Sequence, residues 1–123
     1  MAKPTYTLAA ALLLSAVPLA ASASEADVLN ATAQKQSDGT YRFSATVRHG
    51  DTGRKHYADA FDVRLPDGTV LETRVLHHPH EKEQPFTRSL SGVRVPAGAN
   101  MVIVRAHDKL HGHGGKEFQL NLR

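Results

Sequence analysis

Eight histidines stand in a chain of 123 residues that contains no cysteine. They fall into three groups: His49 and His56, then His77, His78 and His80, then His107, His111 and His113. Neutral imidazole is the commonest metal ligand among side chains and suits Zn(II) and Cu(II), whereas Cu(I) more often recruits sulfur. Sulfur is scarce here, with only Met1 and Met101. His78-Pro79-His80 and His111-Gly112-His113 are both His-x-His pairs, and in an extended segment alternate side chains project to the same side, so two rings can meet one ion. The spacing therefore predicts a divalent ion, Zn or Cu(II), held by His78, His80, His111 and His113, with His49 and His56 the next candidates. Asp51, Asp59, Glu81 and Asp108 are placed to orient those rings or to join them as carboxylate ligands. His77 and His107 adjoin strand ends, where packing or hydrogen bonding within the fold competes with a ligand role.

The elements that must carry these groups follow a period of two. Tyr41, Phe43, Ala45 and Val47 alternate with Arg42, Ser44, Thr46 and Arg48, the pattern of a strand with one wet face. Tyr57 to Leu65 repeats it, Pro66-Asp67-Gly68 makes a tight turn, and Thr69 to His77 runs back. Phe86 to Val95 is extended with an irregular register that predicts a bulge at Gly92. Met101 to Ala106 and Phe118 to Leu122 follow, and Val28 to Lys35 precedes them all. The count predicts an all-β domain, a seven-stranded antiparallel sandwich of the immunoglobulin or fibronectin type III kind. Successive connections in such a sandwich alternate between its two ends. The second, fourth and sixth connections, which hold all the histidines, should then share one end.

The N-terminus has the composition of an export signal. Lys3 is followed by an apolar run from Leu8 to Leu19, too short to span a bilayer, and then by Ala21-Ser22-Ala23, the small residues a signal peptidase reads. Residues 1–23 are expected to be a signal peptide and residues 24–123 a single domain, placing the protein in the periplasm or outside the cell. Beyond the signal the formal charge is +2, with basic and acidic residues interspersed. That distribution gives no footprint for nucleic acid or an anionic membrane, and no second apolar stretch approaches the ~20 residues that insertion of the mature chain as a helix would need. The lack of cysteine excludes thiolate chemistry and disulfide staples, so stability must come from packing or a bound ion. No Gly-x-Ser-x-Gly elbow, phosphate-binding glycine loop or His-Glu-x-x-His is present, and about 100 residues leave little room for a substrate pocket, so no enzymatic activity is expected.

His56-Tyr57-Ala58-Asp59, the segment from His78-Pro79-His80 through Glu83-Gln84-Pro85-Phe86-Thr87-Arg88-Ser89-Leu90, and His111-Gly112-His113-Gly114-Gly115-Lys116-Glu117 together resemble a family of small uncharacterised periplasmic proteins of proteobacteria. The resemblance implies export and a compact β domain, and carries no ligand with it. Two functions then follow from the residues: an exported metal-binding protein, or a non-enzymatic sandwich that uses its histidine-bearing end to bind another periplasmic protein.

Overall fold

The computed structural model describes residues 25–122; the expected signal peptide over residues 1–23 lies outside them. Seven strands follow in order: β1 Asp27–Lys35, β2 Tyr41–Arg48, β3 Ala58–Arg64, β4 Val70–Val75, β5 Phe86–Val93, β6 Met101–Asp108 and β7 Phe118–Asn121. They form two antiparallel sheets, β1-β2-β5 and β4-β3-β6-β7. This is the seven-stranded sandwich that the alternating pattern predicts, with strands grouped as in the immunoglobulin-like folds.

Alternation decides what enters the core. Phe43, Ala45 and Val47 of β2, Phe61 and Val63 of β3, and Val102, Val104 and Ala106 of β6 are buried between the sheets with Val28, Phe86 and Val93. Apart from three phenylalanines the filling is short and mostly β-branched, which suits a thin space between pleated surfaces. The predicted irregularity in β5 is a bulge: the register against β2 shifts between Tyr41 and Phe43, opposite Leu90 and Val93, and Gly92 takes φ 72°. One boundary differs in a way that matters. β6 runs to Asp108, two residues beyond Ala106. A polar side chain at an inward position reads as the end of a strand in sequence, yet Asp108 is fully buried.

One open side of the sandwich is closed by backbone pairing just before β7. The Val28 amide donates to the Lys116 carbonyl at 2.8 Å, and the Lys116 amide donates to Asp27 Oδ1 at 2.7 Å. A Cβ on Gly115 would overlap the Ala26 carbonyl, which is backbone and has no rotamer to escape by. Gly115→Ala should therefore lower stability by about 1–3 kcal/mol, the usual range for overpacking. In a domain of this size that is a fall in melting temperature of about 4–8 °C per kcal/mol. Thermal unfolding followed by circular dichroism checks it, and an unchanged midpoint would mean that this closure can open without loss.

Candidate metal centre

Three connections meet at one end of the sandwich, as the alternation of connections requires. β2 sends Val47 inward, and the same alternation continued past the strand end turns His49 inward. In the facing sheet β6 sends Val104, Ala106 and Asp108 inward. His49 and Asp108 therefore face each other across the gap between the sheets, 59 positions apart in the chain, with His49 Nε2 and Asp108 Oδ2 at 2.8 Å. His56, from the β2–β3 connection, brings its Nε2 to the same oxygen at 2.9 Å. The ligand atoms of His49, His56 and Asp108 all lie within 4.8 Å of one another.

Each member is held from behind. Asp108 Oδ1 accepts hydrogen bonds from the amides of Leu110 at 2.7 Å and His111 at 3.3 Å, which leaves Oδ2 for the imidazoles. His49 Nδ1 is 2.5 Å from Asp51 Oδ1, and Asp51 is itself fixed by the amides of Ala58 at 3.0 Å and His80 at 2.6 Å. An imidazole whose far nitrogen donates to a carboxylate is the usual arrangement at a metal site, since the carboxylate sets the ring's orientation and raises its basicity. Gln84 ties the ends together. Its Oε1 accepts from the His49 amide at 2.9 Å and its Nε2 donates to the His80 carbonyl at 2.8 Å.

The side chains of His49, Asp51 and Asp108 are wholly inaccessible, while His56 keeps 19% of its surface exposed. Burial would push the His49 pKa down, but its hydrogen bonds to Asp51 and Asp108 outweigh that and hold it above the ordinary value. Burial likewise opposes ionisation of Asp108, yet the Leu110 amide, both imidazoles and the His111 amide hold its pKa below the usual carboxylate range. The group is thus a buried anion with protonated nitrogens turned toward it. A divalent cation can replace those protons, because Zn(II) takes imidazole nitrogen and carboxylate oxygen at about 2.0–2.2 Å.

The other histidines separate into distinct places. His111 is exposed, with its ring edge-on to His56 at 5.2 Å between centroids, so it borders the central group on the accessible side. His113 packs instead against His107, 4.8 Å between centroids. The two rings of His111-Gly112-His113 part because Gly112 has φ 74° and the amide and carbonyl groups of Asp108 and Gly112 bond reciprocally, both at 2.8 Å. The segment is a tight loop, and the side-by-side rule for extended chain does not hold there. His78 and His80 do lie together, 4.9 Å between centroids, in a surface depression of about 580 Å³ shared with Arg54, Glu81, Lys82, Glu83 and Arg88. His77 is exposed.

His80 is the exception among the buried rings. It stacks on Phe86 at 4.1 Å, its Nδ1 is 4.0 Å from Asp51 Oδ2, and neither ring nitrogen has a hydrogen-bond partner. Burial, with Arg88 and His78 nearby, pushes its pKa down. A buried polar atom without a partner costs about 1–3 kcal/mol, so an apolar ring there should be tolerated. His80→Phe is expected to match or exceed the parent in urea denaturation while leaving ion affinity within about threefold, since the Asp51 bond comes from the His80 backbone. A large loss of affinity would make His80 a ligand.

Comparison with known proteins gives one informative likeness. Over 92 residues, 75% of this chain, the sequence is 41% identical to a protein of Halomicrobium mukohataei named "Putative lipoprotein". The chain spans 45% of that relative's length. No family model matches the sequence, and no solved structure matches it significantly.

Proposed function

We propose that this protein is an exported, non-enzymatic binding domain for one divalent transition ion, Zn(II) or Cu(II), with His49, His56 and Asp108 as ligands and His111 closing the fourth position. The observation that carries the reading is the convergence of two imidazole nitrogens on one buried carboxylate oxygen, with Asp51 orienting one ring from behind. Neutral imidazole with carboxylate is a donor set that suits both ions, and Cu(II) binds such sites the more tightly of the two. Export rests on the leader-like N-terminus and is in keeping with the name of the Halomicrobium relative; the periplasm is the compartment that this reading favours. Titration calorimetry of the domain beginning at Ser24, prepared without a histidine tag, tests the site. Tight binding of one ion that His49→Ala abolishes is the expected result, and equal binding by parent and variant would sink the proposal.

One feature favours the second reading, a protein-docking end. Leu110, at the tip of the loop that carries His111, is 63% exposed. An exposed leucine beside a metal site can seat a partner, but a partner that needs the leucine alone would bind equally well after chelation. Pull-down with and without a chelator separates the two readings.

A further inference from the structure

Strand alternation places His107 on the opposite face of β6 from Asp108. There, outside the central group, a second pair of imidazoles stands ready. His107 Nδ1 is 2.5 Å from Asp59 Oδ1, a carboxylate on the neighbouring strand β3. His113 Nδ1 is 3.1 Å from the Ala106 carbonyl oxygen. A carbonyl oxygen only accepts, so His113 Nδ1 must carry the hydrogen, and in the neutral ring the lone pair is then on Nε2. Asp59 imposes the same tautomer on His107. Both rings thus present Nε2 lone pairs, with their other nitrogens fixed by oxygen acceptors, the pattern of metal-ligating histidine.

The spacing agrees. Two imidazoles bound to one ion at about 2.0–2.1 Å have ring centres roughly 4.5–5.2 Å apart for bond angles from square-planar to tetrahedral. The rings of His107 and His113 are 4.8 Å apart and inclined at 69°. His113 is exposed and His107 keeps 35% of its side-chain surface, so an ion held there would retain water in its remaining positions.

We infer that His107 and His113 form a second, solvent-facing site for a divalent transition ion, oriented by Asp59 and the Ala106 carbonyl. The inference does not depend on the buried site, because it uses other ligands on the other face of the sheet. The two sites share only the chain between His107 and His113. The loop that brings His111 to His56 also brings His113 to His107, so an ion on the outer pair sits one loop away from the buried group.

Native mass spectrometry and Cu(II) titration followed by electron paramagnetic resonance test it on the tag-free domain. Wild type should take two Cu(II) ions, the weaker with a spectrum of two nitrogen donors plus water. His107→Ala/His113→Ala should lose that weaker ion and keep the tighter one. Asp59→Asn, which keeps both ligands, should weaken it about 10–100-fold. His49→Ala should lose the tighter ion and keep the weaker, so that failure of the buried site reads differently from failure of this one. A stoichiometry that His107→Ala/His113→Ala leaves equal to that of wild type, whether or not the buried site fills, would overturn the inference.

Discussion

Asp108→Asn should reduce ion affinity by at least about 100-fold, since loss of an orienting partner alone commonly costs 10–100-fold and this change removes a ligand charge. Asparagine preserves volume, and its carbonyl oxygen can still accept from the Leu110 and His111 amides, so the loop should stay folded. Its amide, though, turns a donor toward His49 and His56 where an anion stood. Asp108→Ala is harsher. It removes the acceptor from two imidazoles and two amides at a wholly buried position, which should cost about 3–5 kcal/mol of stability. Set against the 5–15 kcal/mol of a typical domain, that is a large fraction. Calorimetric titration of the asparagine variant and urea unfolding of the alanine variant give the two numbers. Undiminished affinity in the first would remove Asp108 from the ligand set, and an unfolding midpoint within experimental error of wild type in the second would show that the buried network adds little.

The ion itself should produce the other large effect. A ligand that binds only the native state stabilises it by about 2.7 kcal/mol at a free concentration one hundred times Kd. For about 100 residues that corresponds to a rise in melting temperature of about 10–20 °C. The rise should grow with the logarithm of ion concentration and vanish on adding a chelator. Scanning calorimetry over a hundredfold range of Zn(II) measures it, with Mg(II) as the control because Mg(II) prefers oxygen and water to imidazole. A melting temperature indifferent to Zn(II), or one raised equally by Mg(II), would remove the specific site.

Legibility was greatest where the two faces alternate cleanly, as in β2. Tyr41 to Arg48 is bounded alike by pattern and by structure, and the Gly92 bulge was marked by its broken register. The gathering of the histidine-bearing connections at one end followed from the parity of connections. What alternation could not convey was how the loops fold. His111 and His113 look equivalent in sequence, yet one left-handed glycine sends them to different neighbours. His49 and His56 ranked below the His-x-His pairs because they are seven positions apart, and nothing local shows that Asp108 lies between them. The usable sign was the phase of β2: carried two residues past Val47, it points His49 inward. Asp51, Asp59, Glu81 and Asp108 were singled out as carboxylates that could orient the rings or join them as ligands, and of these Asp51 and Asp59 are each bonded to a histidine Nδ1.

The contact between His49 and Asp108 joins the end of β2 to the end of β6, and those are the strands, B and F by position, that a disulfide links in antibody domains. A disulfide persists when the chain unfolds and so acts on the unfolded ensemble; an ion held by histidine and aspartate lets go. For a link enclosing 59 residues, the entropy of closing the loop amounts to about 4 kcal/mol. In the folded domain that closure is already accomplished by the packing of the two sheets. The same ligands on an unfolded chain would have to achieve it on binding, which lowers affinity by about a thousandfold. Selectivity of the proposed site for the folded chain over the same chain unfolded would thus be set by the length of polypeptide between the two ligands, independently of the ion.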